Sequence, residues 1–422
     1  MRMTALATAG LALPDLAHAS GSDVIRVGLV GCGGRGTGAA RDCLRAADGV
    51  ELVALGDLVP DRLAQCREQL NSIGAEDAVF AAKLKVTDER CFTGFDAYRQ
   101  VMASGIDLVL LATPPGFRPT HIAAAIAAGL HVFAEKPVAV DVAGIHSVLA
   151  SYESARRQGL AVVAGTQRRH QPEYLETIRR IHDGAIGEVV SGQVYWNQGA
   201  LWNREREPGW SDAEWQVRNW LYFTWLSGDH IVEQHMHNID VANWVLGAHP
   251  VRATAVGGRQ QRTAPEFGQI YDHFAVDFEY ESGARITSIS RQIPGCSNYV
   301  GEQFQGTRGT SNAAGTIDGD GSWRWQQPDQ PRSPYLLEHV DLLASIRAGQ
   351  PLNELKQVAE STLSAIMGRE AAYTGQSLAW DQVMSAEQDL MPPDLSFGPL
   401  EVPPVPVPGV TTLNRKWGDT QG

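Results

Sequence analysis

The 422-residue chain predicts two unlike halves. The first is an α/β part built on a doubly wound parallel sheet; the second is an α+β part with a large, mainly antiparallel, open-faced sheet. Three observations carry this. Short apolar runs alternate with helix-forming stretches between residues 24 and 168, the order that buries a parallel sheet between helices. A glycine-rich turn, Gly31-Cys32-Gly33-Gly34-Arg35-Gly36, joins the first run to the first helix. From residue 252 onward the runs alternate in period two and are broken by hairpin signals such as Glu281-Ser282-Gly283. The resulting boundaries are residues 1–22, an N-terminal segment unlike the rest; 23–168, the first domain; 169–385, the second; and 386–422, a proline-rich tail.

With 43% hydrophobic residues, a chain of this length buries a large core. The net charge is −13 and no Lys/Arg run exceeds two residues, which argues against nucleic acid and anionic membranes as partners. No stretch approaches the roughly 20 apolar residues of a membrane span. Residues 1–20 carry Arg2, an apolar middle and Ala17-His18-Ala19 before Ser20, the pattern of an export signal with an A-x-A cleavage site. Export to the periplasm is the expectation, with the cytoplasm as the alternative. No twin arginine is visible, though a start placed too late would have removed one. Cys32, Cys43, Cys66, Cys91 and Cys296 form no C-x-x-C and no disulfide framework, which suits export in the folded state.

In the first domain, Val24 to Val30 reads as a buried strand and Thr37 to Ala46 as the helix after the glycine turn. Gly31 permits the tight turn, Gly33 and Gly34 let backbone N–H groups approach a pyrophosphate beside Arg35, and Gly36 lets the helix pack closely. Val50 to Leu55 is the next strand. It ends in Gly56-Asp57, with Asp57 about 20 positions after Gly36, where a carboxylate holds a ribose hydroxyl. This is a Rossmann-type dinucleotide site. Asp57 favours NAD over NADP, because a carboxylate repels a 2′-phosphate, while nearby Arg62 softens the preference. Pro60 opens a helix to about Leu70, and a short helix covers Phe95 to Ser104. Ile106 to Leu111 is a strand ending in Ala112-Thr113-Pro114-Pro115. His121 to Ala128 is a helix, His131 to Ala134 a strand running into Glu135-Lys136-Pro137, and Ala161 to Ala164 a strand ending at Gly165-Thr166-Gln167-Arg168-Arg169. Open α/β sheets bind ligands at the strands' carboxyl ends. Thr113, Pro114, His121, Glu135, Lys136 and Gln167 therefore join the glycine turn as cofactor-binding candidates.

The glycine fingerprint, Ala112-Thr113-Pro114, the Gly-Leu-His-Val-Phe run and Glu135-Lys136-Pro137 together resemble the Gfo/Idh/MocA oxidoreductase family over about residues 24 to 380. The resemblance implies that Lys136 sits beside the nicotinamide and the reacting hydroxyl. A lysine there, with proline fixing the chain, can polarise an alkoxide or carbonyl.

In the second domain, Glu173 to Asp183 reads as a helix and Gly187 to Trp196 as a strand. Trp196, Trp202, Trp210, Trp215, Trp220 and Trp225, six of the 11 tryptophans, follow at a spacing that matches neither helix nor strand, with Arg204, Arg206 and Arg218 among them. Such rings either stack on sugar faces, with Trp202 and Trp220 as substrate-binding candidates, or fill a subunit or domain interface. Residues 227–244 hold the densest polar run. In a helix, Glu233 and His237 share a face, as do His237 and Asp240, so a carboxylate would orient a basic imidazole. The family's Asp-x-Gly-x-His-x-x-Asp pattern lines up on Glu233, His235, His237 and Asp240, with Glu for the usual Asp and His for the usual Gly. By that resemblance His237 is the catalytic base. Catalytic candidates are Lys136, His237 and Glu233, and the same three with Arg169 and the two tryptophans form the substrate-binding set. The histidines match no zinc motif, and no metal is expected.

The rest reads as a sheet over residues 252–258, 271–280, 284–292 and 299–305, able to carry a homodimer or homotetramer interface. Residues 335–349 and 357–375 are helices that in the family pack back on the first domain. The prolines of 397–410 predict an extended tail or an arm onto another subunit. The whole predicts an NAD-dependent oxidoreductase acting on a sugar, sugar derivative or cyclitol hydroxyl, with redox-neutral use of a tightly bound NAD where the protein is exported. The alternatives are an NAD-dependent glycoside hydrolase working by oxidation, elimination and re-reduction, and a non-catalytic sugar-binding sensor.

Overall fold

The computed structural model describes residues 24–419, so the export signal expected in residues 1–22 falls outside the described residues. Six strands, β1 (Ile25–Val30), β2 (Val50–Asp57), β3 (Cys91–Thr93), β4 (Leu108–Leu111), β5 (His131–Ala134) and β6 (Val162–Ala164), form one sheet in the order β3-β2-β1-β4-β5-β6. Every pair in it is parallel. Crossover helices cover both faces: α1 (Gly34–Ala46), α2 (Pro60–Glu76), α3 (Ala78–Lys83), α4 (Ala97–Met102), α5 (Arg118–Ala127) and α6 (Val142–Gln158). The four residues of β4 are buried throughout, as a strand covered on both sides must be. Three elements of this domain, α3, β3 and α6, had no counterpart in the sequence reading. Strand β3 has only three residues and its pairing with β2 alone defines it. Helix α6 is capped by Asp141, whose Oδ1 accepts the Gly144 N–H at 2.8 Å, and it stops at Gly159 in the left-handed region.

Helix α7 (Pro172–His182) leads into the second domain and strand β7 (Val189–Gln198). After the tryptophan-rich stretch come α8 (Asp212–Arg218), α9 (Thr224–Ser227) and α10 (Met236–Leu246). Strands β8 (Arg252–Gly258), β9 (His273–Glu279), β10 (Arg285–Gln292), β11 (Tyr299–Gly306), β12 (Gly309–Ser311), β13 (Thr316–Gly319) and β14 (Trp323–Arg324) follow. Helices α11 (Pro334–Arg347) and α12 (Leu355–Thr374), strand β15 (Leu378–Ala379) and helix α13 (Trp380–Met384) complete the elements. The nine-stranded sheet has the order β14-β13-β12-β11-β7-β10-β9-β8-β15 and is antiparallel except where β10 meets β7. Ile239 of α10 and Leu363 and Ile366 of α12 share one core with Phe278 and Ile286 of the sheet.

The chain then returns to the first domain. Leu342 and Leu343 of α11 are buried with Leu29 and Phe133. Arg369 of α12, fully buried, donates to the Val140 and Gly228 carbonyls at 2.8 and 2.9 Å, tying the domains together. The described part of the proline-rich tail lies against its own second domain. Prolines hold the backbone extended with free carbonyls, and side chains of the second domain fill them. Tyr271 OH donates to Pro406 O at 2.8 Å and Gln216 Nε2 to Leu400 O at 2.8 Å. Trp417 packs edge-on to Trp225 at 6.0 Å, and Arg415 Nη2 donates to buried Glu370 at 2.9 Å. Burial alone would raise the Glu370 carboxyl, but Arg415 and Arg369 hold it below its ordinary value. Truncating Arg415 to alanine leaves Glu370 with Arg369 alone, so a loss of about 2–3 kcal/mol is expected in denaturant unfolding, less than for a wholly unpaired buried charge.

Candidate active site

The glycine turn is shaped by close approach. Gly31 has φ +97°, and a Cβ there would meet the Ala112 and Thr113 backbone at 2.6 Å. A Cβ on Gly36 would lie 1.8 Å from the Gly31 carbonyl oxygen. Gly33 and Gly34 are the reverse case, with nothing within 4 Å of where a Cβ would stand. Helix α1 begins at Gly34 without a side-chain cap, so its first N–H groups are free at a cleft of about 500 Å3 that Gly31, Gly33, Gly34, Arg35 and Gly36 line. An uncapped helix start above an open glycine floor fits a dinucleotide pyrophosphate. Asp57 lies in the same lining; its Oδ2 accepts the Cys32 N–H at 2.6 Å and its Oδ1 the Val59 N–H at 2.9 Å, which fixes the carboxylate at the end of β2. Thr113, Pro114 and His121 complete that side. The His121 ring stacks on Tyr98 at 4.3 Å, its Nδ1 lies 3.2 Å from Thr113 Oγ1, and burial pushes its pKa down to about 3.

The opposite wall comes from the second domain. Trp202, Arg204, Val217, Arg218 and Trp220 line the cleft with the glycine turn and Asp57, whereas Lys136 and His237 lie outside its lining. The tryptophans expected on a substrate thus stand over the dinucleotide cradle. The other rings have separate tasks: Trp210 lies under Arg218 at 4.6 Å, Trp225 is core, and Trp196 stacks on His237 at 5.8 Å.

Beyond the cleft, Lys136 meets the second domain. Its Nζ donates to the Glu233 carbonyl at 2.6 Å and to Glu233 Oε1 at 3.2 Å. Residues Ile231–His235 form a π-helical turn, and this overturns the expected pairing of Glu233 with His237. The wider turn takes Glu233 off the face it would share with His237 in a regular helix. Asp240 does not orient His237 either; both its oxygens accept Arg169, Nη2 at 2.8 Å, and Ser361 Oγ donates to Oδ1 at 2.8 Å. His237 is left buried against Trp196 with no hydrogen bond to a described residue. Burial, then the charges of Lys136, Arg168 and Arg35, hold its imidazole well below the ordinary pKa. His235 turns the other way, onto Ser288 Oγ at 2.7 Å. Among the described residues no group of three or more His, Cys, Asp or Glu side chains has the geometry of a metal site.

Other candidates are held by protein partners. Glu135 pairs with Arg35, whose Nη2 also donates to Glu338 at 2.7 Å, linking the glycine turn to α11. Gln167 opens a short 3-10 turn with its Oε1 buried and unpartnered, and Arg169 is committed to Asp240. Arg118 went unnoticed in the sequence: buried at the start of α5, it donates to the Thr113 and Pro137 carbonyls and so clamps the two loops that carry Thr113 and Lys136. An arginine beside a proline at a helix start was its only sequence signal.

Comparison with known proteins agrees with this geometry. Residues 25–165 match the family model described as oxidoreductase family, NAD-binding Rossmann fold, and residues 174–311 match the GFO/IDH/MocA C-terminal domain. Inositol 2-dehydrogenase 4 of Saccharopolyspora erythraea is 30% identical over 62% of this chain and 65% of its own. The scyllo-inositol 2-dehydrogenase (NAD(+)) of Bacillus subtilis is 25% identical over the same shares. The match therefore spans just under two thirds of each relative's length. Aldose-aldose oxidoreductase from Caulobacter crescentus, solved with glycerol, shares the fold at TM-score 0.65 and 19% identity, over 84% of this chain and 99% of that one.

One titration gives a test of this packing. Burial lowers His170, but its hydrogen bond to Asp341 and the nearby Glu354 carboxylate at 3.4 Å outweigh that and raise it to about 10. The folded state thus keeps a proton that the unfolded state loses near pH 6.5, so this stabilisation is complete below about pH 6.5 and is lost as pH rises toward 10. The unfolding midpoint should fall between about pH 7 and 9, and His170→Gln should flatten that slope.

Proposed function

The chain belongs to the Gfo/Idh/MocA oxidoreductase family, and on that premise we propose that it is an NAD-dependent oxidoreductase acting on a hydroxyl of a sugar, sugar derivative or cyclitol. The inositol dehydrogenases among its relatives support the substrate class. The observation that carries the reading is an uncommitted, neutral imidazole close to a lysine at the carboxyl end of the parallel sheet. Bound NAD would supply a hydride acceptor and donor. The glycine turn and the start of α1 would hold the pyrophosphate, and Asp57 the ribose hydroxyls.

Lys136, kept in place by Glu233, would hydrogen-bond the reacting oxygen and stabilise negative charge on it. His237 would take the hydroxyl proton. Burial, and then nearby positive charges, disfavour its imidazolium, so the base meets the hydroxyl in its neutral, proton-accepting form. A redox-neutral cycle with retained NAD is the second reading, favoured by the wall that the second domain builds over the cleft. The glycosidase variant of that cycle would use the same lysine and histidine.

His237→Asn should lower kcat/KM by about 10²–10⁴ while leaving NADH affinity unchanged. In the wild type, kcat/KM for oxidation should not fall with a midpoint near pH 6.5 on the acid side, since His237 remains neutral there. Full activity in the variant, or an imidazole-like acid limb in the wild type, would remove His237 as the base. Absence of turnover with sugars and cyclitols in a protein that binds NAD would favour the sensor.

A further inference from the structure

The wall over the cleft has features that a passive domain interface does not need. Trp202 is 43% exposed, although it lines the cleft edge-on to Trp220 at 6.1 Å. The Arg204 guanidinium stands over the Trp202 ring at 5.6 Å and has no carboxylate partner among the described residues. Rings and a cation thus face open space across from Asp57 and Arg62, at the ribose-binding end of the glycine cradle. A flat, electron-rich heteroaromatic base suits such a surface, since it stacks on indole and guanidinium planes alike.

Besides apolar packing on Phe95 and Phe117, one ion pair among the described residues joins this wall to the first domain. Arg218 Nη1 and Nη2 each donate to Asp61, in the first turn of α2, at 2.9 Å. Glu214 and the Trp210 ring hold the guanidinium in that pose, at 2.9 Å and 4.6 Å. The loop carrying Trp202 is in turn hung on α8 and its neighbours: Trp215 Nε1 donates to Arg204 O at 3.1 Å, and Tyr222 OH to Trp202 O at 2.9 Å.

We infer that residues 199–220 form a flap that closes over the adenosine half of the dinucleotide, stacks on its adenine through Trp202 and Arg204, and is latched by Arg218 on Asp61. This rests on the NAD site proposed above and adds to it. The nucleotide leaves only when the latch opens, so the flap sets how long a cofactor stays through successive turnovers.

The test uses the full-length protein loaded with NADH, with energy transfer from tryptophan to NADH followed in a stopped-flow chase by excess NAD+. Asp61→Ala breaks the latch from an exposed position, and Trp202→Ala removes the exposed ring; neither residue is core. The dissociation rate should rise about fivefold in Asp61→Ala and about tenfold or more in Trp202→Ala, with unfolding midpoints unchanged. Wild-type NADH binding with unaltered dissociation in both variants overturns the flap alone. A wild type that takes up no NADH overturns the flap together with the dinucleotide reading.

Discussion

The contact on which the rest depends is the approach of helix α1 to strand β1, where Gly36 sits so close to the Gly31 carbonyl that no side chain fits between them. That approach brings an uncapped helix start to the carboxyl end of the sheet, at the point where strand order turns from β2-β1 toward β4. Free N–H groups and the helix dipole then make an electropositive floor in a protein of net charge −13, which otherwise repels phosphates. Asp57 supplies the one carboxylate at the ribose end, fixed by two backbone N–H groups rather than by a cation.

The second domain completes the site by reaching back to the first in three places. The π-helical turn offers Lys136 a carbonyl and a carboxylate, Arg35 joins the glycine turn to Glu338 of α11, and Arg218 reaches Asp61. Each is a charged contact across the domain boundary, and each has at least one partner well shielded from solvent. Alignment of the lysine with the imidazole therefore depends on how the domains dock, as much as on either domain alone.

Much of this was legible in the sequence because it rests on local rules. The apolar runs of β1, β2, β4 and β5, the glycine spacing and the prolines after β4 are read from neighbours in the chain. What was missed depends on contacts distant in sequence. Strand β3 exists through its pairing with β2, and the tail folds back because Glu370 and Tyr271 meet it. Trp202 and Trp220 carry no periodic signal, so their composition suggested stacking without saying on what. The π turn mattered most: one widened turn at Ile231–His235 moved Glu233 from His237 to Lys136, and i, i+4 counting has no means of anticipating it. Helix α6 was readable from Asp141 and Gly159 and was overlooked.

The central claim is that the open floor at Gly33 and Gly34 is where a dinucleotide lies, and Gly33 gives the most direct test of it. Its backbone is extended, at φ −71° and ψ 179°, and no atom lies within 4 Å of its missing Cβ. Gly33→Val should therefore fold with an unchanged unfolding midpoint while filling the space reserved for the pyrophosphate. NADH titration, with stability measured alongside, should give about one nucleotide per wild-type chain and binding weaker by on the order of a hundredfold in the variant. Equal binding by variant and wild type, or no binding by the wild type, would contradict the account.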